Sequence, residues 1–337
     1  MRDSDNVIAA AAATPRSGLG RESSRVRLTI AAPGTCLGAL GVLAFSFTFP
    51  ATKLAVDGLN PWLVAFARAA VAAVLAAAVL LATRAPTPDR AQRRRLLVVA
   101  GGVVVGFPLF SSLALTTTGS AHGAVVIAVL PAATALVAVI RGGERPPLRF
   151  WIAASAGLAV VVAFTIVTAH GALGAGDALL LLGTALCAVG YAEGASVSRT
   201  LGGSRTICWA LVLAAPLTIP VTVILGIVAA PSHAGPSAWL GFAYVAVVSM
   251  LLGFFAWYAG LARGGTARVS QIQLLQPLLT VVWSAAVLGE RIGAGTLIAG
   301  AAVLACVAAT QRTRNADDRR SGAGPTRATR SGPAGMR

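Results

Sequence analysis

Six residues recur in one order at an offset of 146 positions. Leu115, Gly119, Ala121, Pro131, Glu144 and Arg145 are matched by Leu261, Gly265, Ala267, Pro277, Glu290 and Arg291, with every internal spacing kept. A chain this rich in Ala and Leu matches one or two such positions by chance, but not a Gly, a Pro and a Glu-Arg pair together. Phe45 and Tyr191 extend the match, as do Lys53 and Arg199, and Gly157 aligns with Gly300 after a three-residue loop adjustment. The chain reads as one unit written twice. If each copy holds an odd number of membrane crossings, the second copy lies inverted relative to the first, an architecture used by secondary transporters.

Composition supplies the membrane. Charged residues make up 11% and hydrophobic residues 56%, with a mean hydropathy of +0.79, against roughly 25% charged in a soluble domain. Apolar stretches long enough to cross a roughly 30 Å hydrocarbon core fall at 32–52, 61–82, 96–115, 121–140, 148–167, 177–197, 207–229, 239–261, 269–288 and 293–310. The expected fold is an all-α polytopic membrane protein of ten transmembrane helices, arranged as two inverted five-helix repeats over 32–170 and 171–311. Residues 1–31 and 312–337, rich in Arg, Gly, Ser, Ala and Pro, are expected to be disordered cytoplasmic tails.

The formal charge of +16 has its own explanation. With a cytoplasmic N-terminus, twenty-four Lys and Arg fall on the inner side. Only Lys53 and Arg291 fall on the outer side, and Arg68 lies within a span. Such a bias orients a multi-pass protein with both termini in the cytoplasm and favours contact with anionic lipid. Nucleic acid is not an expected partner. Cys36, Cys187, Cys208 and Cys306 all fall in spans without paired spacing, so neither a disulfide framework nor a metal site is expected.

Several stretches carry a family resemblance. Phe66-Ala67-Arg68, Gly253-Phe254-Phe255-Ala256-Trp257-Tyr258, the run Gly264 to Pro277 and Leu288-Gly289-Glu290-Arg291 resemble an EamA-type member of the drug/metabolite transporter superfamily. The resemblance covers nearly the whole apolar region. It implies ten helices in two EamA repeats, a bacterial inner-membrane location and export of small metabolites or drugs.

Ionisable groups within hydrocarbon require a partner or a water-filled cavity, which narrows the candidate site residues. Glu193 is the one carboxylate deep in a span; it carries a proton for coupling, pairs with Arg199 or Arg68, or snorkels to the inner interface. Arg68 either binds a substrate carboxylate or is held structurally by backbone carbonyls. In the ninth span Gln273 and Gln276 share a face beside Pro277, which frees the Gln273 carbonyl; they either bind substrate or join helices. Pro131 is the matching kink in the fourth span. Trp257 and Tyr258 either line a cavity or pack. Glu144, Arg145, Glu290 and Arg291 are expected at gates or helix ends.

The expected function is secondary transport of a small polar or amphipathic solute across the inner membrane by alternating access, most simply export. Import or exchange by the same fold is the rival reading, and a non-transporting membrane scaffold or sensor is a more distant one. Partners are the solute, the bilayer and, through Glu193, protons. No cofactor is expected, and oligomeric state is left open. His122, His170 and His233 are scattered, so an enzyme is not expected. The sequence holds no phosphate-binding loop motif, so uphill transport would draw on an ion gradient or exchange.

Overall fold

The computed structural model describes residues 33–142, 147–168, 174–229, 234–264 and 272–322. The expected tail 1–31 and the pair Glu144 and Arg145 lie outside these residues.

The first span is broken. Helix α1, Pro33–Ser46, gives way at Phe47 to α2, Thr48–Val56. Pro50 removes the backbone donor that would reach the Ser46 carbonyl four residues earlier, and the Thr280 hydroxyl donates to that carbonyl at 2.7 Å. The second span, α3 (Pro61–Ala82), starts where sequence chemistry dictates: Asn60 accepts from Trp62 N and Leu63 N, and Pro61 occupies the first turn. The third span begins with α4 (Arg90–Val99) behind an Asp89/Gln92 capping box. Arg90 to Arg95 therefore lie on a helix rather than in the expected 83–95 loop. A π-helical turn, Ala100–Gly106, leads from α4 into α5, Phe107–Ala114.

Helices α6 (Ser120–Ile127) and α7 (Leu130–Gly142) form the next span, with Pro131 in the first turn after the break. They are followed by α8 (Leu148–Thr168), α9 (Ala175–Leu201) and α10 (Gly203–Val228). Helices α11 (Pro236–Ala243) and α12 (Gly253–Gly264) are joined by a second π turn, Tyr244–Leu252. A 3₁₀ turn, Gln273–Leu275, opens α13, Gln276–Leu288. Gly289 ends α13 in the left-handed conformation (φ 67°), which only glycine adopts cheaply. The last helix, α14, runs Ala294–Gly322, so the expected tail boundary at 312 falls inside it.

Among the described residues, seven helical segments are long and apolar enough to cross a bilayer, and three shorter apolar ones lie at Leu148–Phe164, Gln273–Leu288 and Ala294–Ala309. No strand occurs among the described residues. Leu217, Val223, Ile224, Ile227 and Val228 on α10 point outward, the side-chain pattern of a helix facing lipid.

Packing joins the two halves of the chain. α1 packs on α12, α3 on α10, α4 and α5 on α9, α6 on α13, and α8 on α14. Small residues permit the tightest of these approaches: a Cβ on Gly41 would meet Trp257 N at 2.8 Å, and one on Gly260 would run into the backbone of Gly38.

Candidate functional site

A cavity lies where α1, α2, α3, α9, α13 and both π turns converge, and its lining follows the repeat. Both members of five pairs at the common offset line it: Phe45 and Tyr191, Val103 and Ser249, Pro108 and Phe254, Ile127 and Gln273, Leu130 and Gln276. In most pairs the first half supplies an apolar group and the second a polar one. Pro108 and Phe254 are both apolar, and outside these pairs the first half contributes the polar Thr48 and Arg68.

Arg68 is the dominant feature. It is 3% exposed and reaches the cavity from the middle of α3. Its Nη2 donates to Ser249 Oγ at 3.4 Å, and Ser249 Oγ shares a 2.8 Å hydrogen bond with Thr48 Oγ1. Nε and Nη1 have no hydrogen-bond partner among the described residues. A buried guanidinium with two unused donors is costly and is suited to an acceptor with two oxygens, such as a carboxylate. The expected alternative of backbone carbonyl partners does not describe it.

Gln273 and Gln276 line the same cavity. Pro277 stands in the first turn of α13, and the Gln273 carbonyl accepts from Gln276 N–H across the 3₁₀ turn. The proline therefore marks a helix break, and the carbonyl expected to be free is engaged. Phe45 packs edge-on against Phe254 at 4.9 Å between ring centroids, and Tyr191 does so at 6.4 Å.

The remaining candidates lie elsewhere. Glu193 does not line the cavity, and its partners are neither Arg199 nor Arg68. Arg95 approaches its carboxylate at 3.8 Å and Arg141 pairs with it directly. Arg95 also donates to Ser196 at 2.6 Å, and Gln92 to Thr200 at 3.2 Å. Together these contacts fasten α4 and α7 to the C-terminal part of α9. Trp257 is buried against Gly41 in the α1–α12 contact. Tyr258 stacks on the outer side of Phe254 at 6.0 Å, next to Gly203. Both are packing residues in this arrangement.

Glu290 does take a helix-end role. Its carboxylate accepts from Ser120 N at 2.7 Å and Ala121 N at 2.9 Å, closing the positive end of α6. Ser284 Oγ donates to Ser120 Oγ at 2.9 Å in the same contact. Arg291 is exposed.

Thr48, Ser249, Phe107 and Cys187 also face the cavity and were not among the expected site residues. The repeat offset applied to Gln273 and Gln276 points to Ile127 and Leu130. No sequence signal marks Ser249.

An all-helical, multi-pass apolar protein with a buried cationic cavity between two matched halves belongs to the class of small-solute membrane transporters. The EamA-like transporter family model matches residues 32–166 and 174–310, and the chain belongs to that family, within the drug/metabolite transporter superfamily. It is 46% identical over 278 residues to YdeK of Bacillus subtilis (strain 168), described as an uncharacterized transporter, covering 82% of this chain and 96% of that protein. A solved crystal structure superposes with a TM-score of 0.56 at 20% identity, over 83% of this chain and 98% of that chain, which shows the shared fold alone.

Proposed function

We propose that this transporter exports a small amphipathic solute bearing a carboxylate, by alternating access of two inverted five-helix repeats. The observation that carries the reading is Arg68, buried in the cavity with Nε and Nη1 unpaired. A solute carboxylate would take these donors, with the Ser249 hydroxyl and the Gln273 and Gln276 amides beside it. The solute's apolar body would lie against Ile127, Leu130 and the aromatic rings.

Ten spans follow if the three shorter apolar helices also cross. The helix pairs support the inverted repeat: α1–α12 corresponds to α9–α5 and α2–α11 to α9–α4, while α3–α10 and α8–α14 each map onto themselves. The two π turns fall at matching places as well, Ala100–Gly106 and the Ala246 to Leu252 portion of the second. The positive-inside bias places both termini in the cytoplasm of a bacterial inner membrane. The Glu193 end then faces inward and the Glu290 end outward.

The test is release of loaded solutes from cells expressing the wild type, Arg68→Met or Arg68→Lys, across amphipathic carboxylates, their amides and lipophilic cations. Loss of charge-assisted hydrogen bonds worth about 2 kcal/mol corresponds to about thirtyfold weaker carboxylate export. Arg68→Lys should retain part of it. Equal release of amides and carboxylates, or full export by Arg68→Met, would overturn the assignment. Faster uptake in wild-type cells would reverse the direction.

A further inference from the structure

A second ionisable site lies away from the cavity, where α6 and α9 begin. His122 Nε2 and Asp177 Oδ1 are 2.6 Å apart. Asp177 is 2% exposed, and its Oδ2 accepts from Gly174 N at 3.3 Å. The imidazole stacks on Phe164 at 4.9 Å. Both residues line an open cleft whose rim includes Thr117 and Thr118, so solution reaches the pair.

We propose that His122 and Asp177 form a proton-binding site that controls closure of the outer mouth. The inference rests on the two-half architecture and orientation proposed above, and not on the identity of the solute. His122 belongs to the first half and Asp177 to the second, so their bond ties the two halves together at the cleft. Histidine is the side chain whose ordinary titration falls between pH 5 and 8. When the imidazole takes a proton from the cleft, its hydrogen bond to the carboxylate becomes charge-assisted and stronger. Acid therefore holds the mouth closed, and deprotonation loosens it.

Other charged groups near the start of α6 are few. Among the described residues, Glu290 is committed to the Ser120 and Ala121 amides. On α2, Lys53 and Asp57 pair with each other. Helices α13 and α14 bring no charged residue over 276–288 and 294–309, and α8 presents Phe164. The exposed Arg291 follows Glu290.

The repeat makes the site one-sided. The offset that relates Glu290 to Glu144 relates Asp177 to Ala31 and His122 to Arg268, a pair with neither carboxylate nor imidazole. Inversion would otherwise give the two faces equivalent chemistry. The imidazole–carboxylate pair therefore has no repeat-related copy at the other mouth.

The experiment is labelling of Thr118→Cys by a membrane-impermeant maleimide in right-side-out vesicles, with the four native cysteines replaced by alanine. The exposed Thr117→Cys gives the reference rate, cancelling the thiol's own pH dependence. Between about pH 7.5 and pH 5.5 the relative rate should fall about tenfold, the difference between a neutral and a charge-assisted hydrogen bond. In His122→Gln, which retains a donor for Asp177 without titrating, the relative rate should be equal at both pH values; Asp177→Asn should behave likewise. A pH dependence that survives both substitutions, or is missing from the parent, overturns the proposal. Labelling of Thr117→Cys only from the opposite membrane face overturns the outer-mouth assignment. Solute flux enters none of these readings, so a failed carboxylate assignment leaves the result standing.

Discussion

Replacing Glu290 tests whether the halves are joined at the start of α6 as described. The carboxylate takes two backbone donors, Ser120 N at 2.7 Å and Ala121 N at 2.9 Å, at a helix end whose first amides have no intrahelical partner. Hydrogen bonds to a charged group are worth about 1.5–3 kcal/mol each, and a charge at a helix N-terminus adds about 0.3–1 kcal/mol. Glu290 is half-buried, so water replaces much of what is lost. The expected cost of Glu290→Ala is then about 2 kcal/mol, or about 3 °C in melting temperature. Glu290→Gln keeps one acceptor oxygen and loses the charge, which places it between Ala and wild type. The assay is thermal unfolding of the purified protein in detergent, read by tryptophan fluorescence. An alanine variant melting within about 1 °C of wild type, or a glutamine variant less stable than alanine, would refute the capping role.

Two further outcomes follow from the packing. Gly260→Leu should abolish a monodisperse peak in size-exclusion chromatography, because its side chain would have to enter the backbone of α1 at Gly38; a normally eluting, stable variant would deny the close α1–α12 approach. Glu193→Gln should lower melting temperature only slightly, since its partners Arg95 and Arg141 are about half exposed and screened pairs contribute about 0–1 kcal/mol. Transport by that variant in vesicles should keep its response to a pH gradient, because the carboxylate does not face the cavity. A response abolished by Glu193→Gln would restore Glu193 as the proton carrier.

Duplication was legible because it is written in residue types with strong backbone or charge preferences: Gly119 stands before a helix start, Pro131 and Pro277 after a break and Glu290 at an end, and Gly265 and Glu144 occupy the matching places in the sequence. Arg68, Gln273 and Gln276 stood out because polar groups are expensive in apolar spans, and the cavity holds all three. Glu193 met the same criterion and lies elsewhere, since cost identifies a group that needs partners without saying which. Arg95 and Arg141 come from helices far away in sequence, and their approach depends on how α4 and α7 pack on α9. Trp257 and Tyr258 lie outside the lining of that cavity for a related reason. An aromatic side chain serves a helix contact as well as a cavity, and only the proximity of Gly41 and Gly203 decides between them. The His122–Asp177 pair was hidden because its members belong to different halves and have no counterparts at the repeat offset.

The two π turns have a consequence for which residues meet the solute. A π turn amounts to one residue inserted into an α-helix, and each residue of an α-helix advances the side-chain direction by about 100°. Everything after the turn is thus rotated relative to what an uninterrupted helix would present. Phe254, which follows Tyr244–Leu252, and Pro108, which follows Ala100–Gly106, owe their place at the cavity to that extra residue. Deleting one residue from either turn would leave span length and hydropathy almost unchanged while carrying Phe254 or Pro108 off the cavity wall. Relatives of this chain that differ by a single residue between these landmarks would therefore present different side chains to their cargo, despite matching in every other position.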